Sequence, residues 1–528
     1  MDDSDSRSLI PSREWRAPVA VAGMLLLAYV VTLAPSVTYW DAGEFLAAIR
    51  TLGIPHPPGT PLYILVANVW AKLFAPLFGF AYSVNLLSAV STAVACGIFT
   101  CLMAQWTRDP WAAAAGGLLA GLMSSVWLNA NETEVYSPSL LMSALLLLVA
   151  NQANEKREAR WLVLLGYLIG LGWALQLSAL VAAPAALLLA FSAVRVQRIP
   201  AVKMLVAALL GASAVLFMIV RAEHDPAINQ GNPSTWTAFL DVITRQQYQP
   251  VSILPRQAPL YLQIGNLLEY ADWQVALGLH PEAPPSWLRT PFTLAYALLG
   301  MIGFRWHRHV HKPSWRVLSL LFVSGTLGVI AYLNMKAGPS YGQGFLPTGA
   351  KHEARERDYF FVLAFMCWGI WAGAGAVRAF TRAGKRWRVA GLAVAALPFM
   401  LNHPAVDRAQ VTPGLAPIDS ARRILVPAPA RAVVFAYGDN DTYPVWYAQQ
   451  VENTRRDVTV VTIPLLGAKW YRAELARRDS LLGPDYIDKW RGFQPTMTAI
   501  CVAAKKLGRP VVARDVPDRP PIPAACRS

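Results

Sequence analysis

Two carboxylates, Asp41 and Glu44, lie three residues apart directly after the first long apolar stretch of the sequence. On a helix, residues at this spacing share one face. A carboxylate beside aromatic and apolar side chains is partly desolvated, which raises its pKa and makes it a better general base. We therefore predict catalytic roles for both residues. The alternative is structural, with Asp41 capping a helix and Glu44 interacting with the helix dipole.

The next segment, residues 53–61, is too rich in proline and glycine to be helical, so it must form a rigid turn. His56 lies in the middle of this turn. A lone histidine is more often structural than catalytic, but a constrained turn can aim the imidazole at a ligand. We predict that His56 binds substrate.

A second acidic group, with Glu132, Glu134 and Tyr136, lies between two long apolar segments. Ionisable groups at a membrane boundary either reach for water or line a site, and glutamate has a short reach. We predict that these three residues contribute to substrate binding.

A basic group follows much later in the sequence, just before another apolar segment. Its candidate substrate-binding residues are Lys351, His352, Arg355, Arg357 and Tyr359. The planar guanidinium fork of arginine suits a phosphate group. Local ion pairing with the acidic residues of the same segment is the alternative.

The elements that must position these groups are predicted to be membrane helices. Of the 528 residues, 55% are hydrophobic and 15% are charged, and the apolar residues form separated blocks long enough to cross a bilayer. Eleven spans are predicted to begin near Ala17, Val84, Trp111, Val135, Trp161, Ser178, Ala201, Leu288, Trp315, Asp358 and Val389. The net charge of +15 arises mainly from short tracts between these blocks, so we expect no nucleic-acid partner.

A twelfth apolar block, residues 61–79, contains Asn68, Lys72 and Pro76. If this block lies along the membrane surface, most basic residues of the short loops fall on the cytoplasmic side, as the positive-inside rule requires. This topology places the N-terminus in the cytoplasm and the C-terminal region outside. It also places all four groups of candidate residues on the external side, which suggests one shared site.

The C-terminal region, residues 402–528, is predicted to form a small α/β domain after a transmembrane domain at residues 1–401. Strands are predicted at residues 432–436 and 458–463, with a turn at 438–441 and a helix at 443–452. The turn either binds a ligand at the end of a strand or simply starts the helix. The fold class is therefore an all-α polytopic membrane protein with a small C-terminal α/β domain.

The five cysteines differ in their surroundings. Cys96, Cys101 and Cys367 lie in apolar blocks and are predicted to be structural. Cys501 and Cys526 lie in the polar region, and they could form a disulfide if that region faces an oxidising compartment.

Five motifs resemble those of a bacterial membrane family formerly labelled a domain of unknown function and now grouped with protein O-mannosyltransferases of the GT-C class. They are Trp40-Asp41-Ala42-Gly43-Glu44-Phe45, His56-Pro57-Pro58-Gly59-Thr60-Pro61, residues 129–136, Arg355-Glu356-Arg357-Asp358-Tyr359-Phe360, and Gly438-Asp439-Asn440-Asp441-Thr442-Tyr443-Pro444 with Trp446-Tyr447-Ala448-Gln449. They occur in this order, and the resemblance runs from about residue 17 to residue 463.

The resemblance implies a GT-C-like fold of about eleven transmembrane helices with a periplasmic interfacial helix, in the inner membrane of a bacterium. It implies transfer of a sugar, a mannose-like hexose, from a polyprenyl-phosphate donor to an acceptor hydroxyl with inversion. The acceptor would be a serine or threonine of a periplasmic protein. Asp41 matches the acidic residue that acts as base in the first external loop of GT-C enzymes, although Glu44 remains an alternative.

The resemblance also implies roles for the remaining candidates. The cations Lys351, Arg355 and Arg357 would stabilise the leaving phosphate. The carboxylates Glu44, Glu132 and Glu134 would hold sugar hydroxyls or a divalent cation, Mg²⁺ or Mn²⁺. The sequence itself does not decide whether a metal is used.

Other functions stay open on the sequence alone. The acceptor could be a glycan or a lipid rather than a protein. A secondary transporter or lipid flippase would show repeated halves with helix breaks near midspan, and neither is evident. A membrane receptor would use the C-terminal domain for binding and would tolerate replacement of the external carboxylates and cations.

Overall fold

The structure is a computed structural model that describes residues 15–191, 200–248, 252–342, 344–347, 349–513 and 521–527. The chain forms two compact units, each assembled from three stretches of sequence. The first unit contains Met1–Leu33, Asn85–Ala214 and Val251–Arg408, and the second contains Ala34–Val84, Val215–Pro250 and Ala409–Ser528. The predicted border at residues 401 and 402 stays a prediction, and the second unit also includes two stretches that precede this border.

The described part of the first unit consists of helices joined by loops. Its α-helices are Arg16–Val31, Phe80–Thr107 (which begins in the second unit), Pro110–Leu122, Ser124–Ala130, Tyr136–Lys156, Ala159–Leu175, Ala183–Phe191, Ala201–Ala212, Leu260–Asp272, Thr290–Val310, Lys312–Val323, Val329–Leu333, Val362–Thr381, Arg388–Ala396 and Pro398–Val406. Short 3₁₀ and π segments connect several of them, at Leu177–Ala182, Ser213–Leu216, Leu277–Leu279, Ser324–Gly328, Asp358–Phe361 and Lys385–Trp387.

Glycines let two central helices of this unit approach closely. A Cβ atom added to Gly116 would lie 2.7 Å from the Ile370 oxygen. A Cβ atom added to Gly373 would lie 2.2 Å from the Ala115 oxygen. Such contacts between Pro110–Leu122 and Val362–Thr381 are typical of membrane helices, in which small residues allow backbone-to-backbone packing. These two helices therefore form the packed centre of the first unit.

Within the described residues, seven helical segments are long and apolar enough to cross a membrane. They are Pro61–Phe78, Phe80–Thr107, Tyr136–Lys156, Ala201–Glu223, Lys312–Leu333, Asp358–Thr381 and Lys385–Leu425. The pair Pro110–Leu122 and Ser124–Ala130, bent by 69°, makes an eighth if it is one span.

The number of such segments is lower than the eleven spans predicted, although a helix lies at each predicted position. Arg16–Val31, Ala159–Leu175 and Leu177–Phe191 are apolar but shorter than a full crossing. Thr290–Val310 is long enough, but its last turns carry several basic residues. The predicted class, a polytopic helical membrane protein with a small C-terminal α/β region, is confirmed. The interfacial position of residues 61–79 stays a prediction, because Pro61–Phe78 also meets the length and composition of a span.

The second unit combines helices with a small sheet. Its α-helices, besides the start of Phe80–Thr107, are Ala42–Thr51, Pro61–Phe78, Phe217–Glu223, Trp236–Ile243, Val411–Leu425, Asp439–Gln450, Lys469–Asp479, Pro484–Asp488 and Phe493–Lys506. Three short 3₁₀ segments are at Gln246–Tyr248, Ile463–Gly467 and Ala524–Cys526.

The sheet is parallel and has the order β2-β1-β3, where β1 is Val433–Ala436, β2 is Thr459–Thr462 and β3 is Val511–Val512. The two strands predicted from sequence are confirmed, with Val433 aligned to Thr459. Strand β3 was not predicted because two residues carry no periodic pattern. The predicted turn at 438–441 is wrong in part, since the helix already begins at Asp439.

The core of this α/β region lies on one side of the sheet and includes Val433, Val461, Leu475 and Ile500, all buried. Cys501 and Cys526 belong to this core and form a disulfide. The other three cysteines, Cys96, Cys101 and Cys367, are free and buried, in agreement with their predicted structural role.

Candidate functional site

Three predicted site residues, Asp41, Glu44 and His56, lie in the second unit, and two of them are in direct contact. Glu44 is on the first turn of the helix Ala42–Thr51 and has no exposed side-chain surface. The His56 backbone N–H donates to Glu44 Oε1 at 2.7 Å, and His56 Nδ1 lies 2.6 Å from Glu44 Oε2. The amide of Gln230 also donates to Glu44 Oε1. We call Asp41, Glu44, His56 and Gln230 the acid–histidine cluster.

The turn that carries His56 is fixed by backbone pairing with a distant segment. The Ile54 N–H donates to the Ile228 oxygen at 2.7 Å, and the Gln230 N–H donates to the Ile54 oxygen at 2.9 Å. Gly59 adopts a φ of +86°, and a side chain there would collide with Met218. This pairing keeps both His56 and Gln230 within hydrogen-bonding distance of the Glu44 carboxylate.

The helix Asp439–Gln450 packs on the same cluster. A Cβ atom on Gly43 would lie 2.4 Å from the Tyr443 oxygen, so only glycine permits this close approach. The Trp40 backbone N–H donates to Asn440 Oδ1 at 2.7 Å. The segment predicted either to bind a ligand or to start a helix thus does start a helix, and its residues contact the predicted catalytic segment.

Negative charge accumulates at this cluster. Burial raises the pKa of Tyr443, and the nearby carboxylates Glu44, Asp439 and Asp41 raise it further. Burial also raises the pKa of Glu44, whereas the contact with His56 opposes this shift and the charge of Asp41 adds to it. His56 and Gln230 therefore compensate the cost of burying the Glu44 carboxylate.

Asp41 and Glu44 differ in what they can do chemically. Glu44 is fully buried, and both of its oxygens accept hydrogen bonds from His56 or Gln230. Asp41 is half-buried and precedes the helix, and its side chain makes no capping hydrogen bond. Asp41 thus occupies the N-cap position of the structural alternative without the side-chain hydrogen bond of a cap, and Glu44 lies in the first helical turn, as that alternative also expected.

The first unit contains the other predicted residues, and several of them form a second group. The Arg355 guanidinium lies 4.3 Å from the centre of the Tyr359 ring and 4.0 Å from Glu134. The Tyr136 and Tyr359 rings are 4.8 Å apart. Arg357 donates to the Tyr359 hydroxyl at 2.8 Å. We call Glu134, Tyr136, Arg355, Arg357 and Tyr359 the arginine–tyrosine cluster.

Both interpretations of this basic segment find support. Arg357 forms an ion pair of 3.1 Å with Glu353, which is the local pairing considered from the sequence. Arg355 rests on an aromatic ring and keeps part of its surface exposed, an arrangement suited to a ligand that carries negative charge.

The remaining predicted residues occupy different surroundings. His352 Nδ1 lies 2.6 Å from the Gly338 oxygen, so its ring is anchored to the backbone. Lys351 is exposed and Glu132 is half-buried. The prediction that all four groups share one site stays a prediction.

The arrangement of the described carboxylates bears on whether a metal ion could bind. Among the described residues, no group of three or more His, Cys, Asp or Glu side chains is arranged to hold a metal ion. Glu44 is occupied by His56 and Gln230, and Glu134 pairs with Arg355. The residues present therefore do not fit the divalent cation considered from the sequence.

Sequence reasoning missed Gln230, which lies 186 residues from Glu44 in sequence. It belongs to no recognisable motif, and its partner depends on the pairing of the turn with residues 228–230. Tyr443 belongs to the motif that begins at Gly438, but the sequence does not predict its position at this cluster.

Comparison with known proteins gives matches in two places. Residues 41–200 match the model of the Protein O-mannosyl-transferase TMEM260 N-terminal domain. Residues 417–480 match TMEM260-associated domain 2. The first match begins at Asp41.

Similar proteins include two curated relatives. Protein O-mannosyl-transferase TMEM260 of Mus musculus is 34% identical over 148 residues, which are 28% of this chain and 20% of the mouse protein. Protein O-mannosyl-transferase tmem260 of Dictyostelium discoideum is 25% identical over 124 residues, 22% of this chain and 15% of that protein. The alignments thus span a fifth or less of the length of these relatives.

Among solved structures, ArnT from Cupriavidus metallidurans bound to undecaprenyl phosphate has a TM-score of 0.48 with this chain at 13% identity. The alignment covers 87% of this chain and 94% of ArnT. The similarity to TMEM260 proteins that the family models detect lies in two separate stretches of this chain, residues 41–200 and 417–480.

Proposed function

We propose that this protein is a protein O-mannosyltransferase that transfers a mannose-like hexose from a polyprenyl phosphate to a serine or threonine hydroxyl. The proposal rests mainly on the position of Asp41 in the sequence and on the partial exposure of its side chain. It is the first residue of the stretch related to the O-mannosyl-transferase domain, and it is a half-buried carboxylate beside a fully buried one. An accessible carboxylate in partly apolar surroundings suits a general base.

In the proposed reaction, Asp41 accepts the proton of the acceptor hydroxyl as the oxygen attacks the anomeric carbon. The bond between that carbon and the phosphate oxygen breaks, and its electron pair leaves with the polyprenyl phosphate. Attack from the face opposite the leaving group inverts the anomeric configuration. Charge that develops on the phosphate requires a cation. Arg355 is the candidate because its contact with Glu134 is 4.0 Å long, whereas Arg357 pairs with Glu353 at 3.1 Å.

Glu44 acts in this proposal as a positioning residue. Its bonds to His56 and Gln230 anchor the start of the helix Ala42–Thr51, directly after Asp41.

The proposed location is the inner membrane of a bacterium, with the N-terminus in the cytoplasm and the α/β region in the periplasm. The charge bias of the loops supports this orientation. The disulfide between Cys501 and Cys526 also supports it, because such bonds persist in oxidising compartments.

The test is sugar transfer by purified protein from radiolabelled polyprenyl-phosphate mannose to a periplasmic protein extract. We expect Asp41→Asn to lower the rate of transfer at least about a hundredfold, a typical effect of removing a general base. Asp485→Asn, which changes an exposed aspartate of the same unit, is the matched control and should keep the wild-type rate.

Equal rates for wild type and Asp41→Asn would exclude Asp41 as the base. Transfer to lipid or glycan in the absence of transfer to protein would replace the proposed acceptor. No transfer from any polyprenyl-phosphate sugar by folded protein would overturn the proposed activity.

A further inference from the structure

The second unit contains a cavity of about 280 Å³ that no step of the proposed reaction uses. It lies beside strand β2, and its walls come from residues 227–230 and from the helices Asp439–Gln450 and Lys469–Asp479. This volume is near the lower end for ligand pockets and suits a molecule of one ring.

Two buried amide side chains at this cavity have acceptor atoms without hydrogen-bond partners. Asn229 and Gln230 are 3% and 2% exposed, and both line the cavity. Among the described residues, Asn229 Oδ1 and Gln230 Oε1 accept no hydrogen bond. The amide nitrogen of each already donates, to Asn232 and to Glu44. Buried acceptors without donors are costly, so a ligand that supplies hydrogen-bond donors would satisfy them.

The charged side chains of the cavity are balanced. Arg456 and Arg478 line it together with Glu474 and Asp479. Arg478 pairs with Glu474 at 2.9 Å and also with Asp225 outside the lining. Burial raises the pKa of Glu474 to about 7, but Asp225 also pairs with Arg478 and Asp479 lines the cavity, so acidic groups still balance the two arginines. This balance favours a neutral ligand over a phosphate or a cationic peptide.

The edge of strand β2 at this cavity is already occupied. The Tyr471 hydroxyl accepts from the Thr462 N–H at 2.8 Å and donates to the Val460 oxygen at 3.2 Å. Gln449 donates to the Val458 oxygen at 2.8 Å. An extended peptide would need these backbone groups in order to pair with the strand, so recognition must rely on side chains.

Two indole rings complete the lining. Trp446 and Trp470 are both half-buried, and Trp470 is held by a hydrogen bond to Gln247 at 3.0 Å. An aromatic ring offers a large, rigid apolar surface. The combination of indole rings, amides and balanced charges matches a molecule with both an apolar face and many hydroxyl groups.

We propose that this cavity binds a single neutral sugar ring, whose hydroxyl groups donate to Asn229 Oδ1 and Gln230 Oε1 while a face of the ring packs on an indole. The proposal goes beyond the proposed transfer reaction and does not depend on it, because binding at this cavity requires no donor lipid and no base.

The test measures binding of the methyl glycosides of mannose, glucose and galactose to the full-length protein in detergent. The method is saturation-transfer NMR. We expect at least one glycoside to bind. Trp446→Ala and Asn229→Ala should each weaken its binding about tenfold or more. Trp490→Ala, which removes a half-exposed indole outside the cavity in the same unit, should leave the affinity unchanged.

If one of the two cavity variants does not fold, the other still tests the proposal. No binding of any glycoside, or equal binding by wild type and a folded cavity variant, would overturn the proposal. Competition by inorganic phosphate or by a lysine-rich tripeptide at lower concentration than the best glycoside would also overturn it, in favour of a charged ligand.

Discussion

The acid–histidine cluster and the arginine–tyrosine cluster handle charge in opposite ways. In the first, the Glu44 carboxylate is fully buried and receives hydrogen bonds from His56 and Gln230. In the second, Arg355 and Arg357 keep 14% and 29% of their side-chain surface exposed, and each has a carboxylate nearby. A buried charge must be matched in the fold itself, whereas a partly exposed charge is still solvated by water.

The two clusters therefore separate charges that stabilise the fold from charges that can bind a ligand. Removing one partner of a buried pair leaves an uncompensated charge or donor, so the fold depends on every member. A partly exposed arginine can exchange its carboxylate partner for another anion at little cost. Glu44 is thus expected to act on stability, and Arg355 on a ligand.

The largest effect should come from breaking the Glu44 contacts. We expect Glu44→Ala to lower the free energy of unfolding by about 3 kcal/mol, because His56 and Gln230 lose a buried acceptor. The measurement is equilibrium unfolding in detergent. Glu452→Ala is the control, since Glu452 pairs with the half-exposed Arg422 and its loss should cost below about 1 kcal/mol. Equal losses for both variants would contradict the contrast.

A smaller effect should come from Glu269, a buried carboxylate of the first unit that has no histidine in contact. Burial and the charge of Glu356 raise its pKa to about 7, and the Ser340 hydroxyl only partly offsets this. Since the folded state holds the proton more tightly than the unfolded state, Glu269 stabilises the fold at low pH, and this contribution is lost as pH rises through about 7.

We therefore expect the unfolding temperature to fall by about 1 °C more between pH 6 and pH 8 in the wild type than in Glu269→Gln. Differential scanning fluorimetry at several pH values measures this. Glu282→Gln, at an exposed position of the same unit, should keep the wild-type pH dependence. An unchanged slope in Glu269→Gln would show that another group titrates.

The smallest effect should come from the ion pair between Arg357 and Glu353, whose side chains are both partly exposed. Glu353 also accepts a hydrogen bond from the Lys336 N–H at 2.9 Å, and glutamine at this position removes the charge while it keeps an acceptor. We expect Glu353→Gln to lower the free energy of unfolding by less than about 1 kcal/mol, and the loss should shrink in high salt. Asp272→Asn is the contrasting variant, because its partner Arg289 is fully buried in the same unit. A loss for Glu353→Gln as large as for Asp272→Asn would remove the distinction between the two kinds of pair.

Much of the local structure could be predicted from the sequence. Strands β1 and β2 are short apolar runs bounded by turn residues, and their positions agree with the prediction to within a residue or two. Spacing along a helix places Asp41 and Glu44 near each other wherever the helix lies. The span count was less accurate, because the helices at some predicted positions, such as Ala159–Leu175 and Leu177–Phe191, are shorter than a full crossing.

The distant contacts of the site were not predictable from the sequence. Spacing explains neither the bond from Gln230 to Glu44 nor the close approach of Tyr443 to Gly43. Both depend on packing between segments that lie far apart in the chain, and a single sequence has no signal for such pairs.

Hydrophobic length and periodicity are local properties, so the amino-acid order is enough to predict a helical membrane protein with a small α/β region. The same order shows which residue types are available for acid–base and phosphate chemistry. The folded chain adds that Glu44 is enclosed while Asp41 is half-buried, and that Asn229 and Gln230 meet the helix Asp439–Gln450 at a cavity. Solvent exposure and hydrogen-bond partners depend on which surfaces pack together, and this packing is a property of the whole fold.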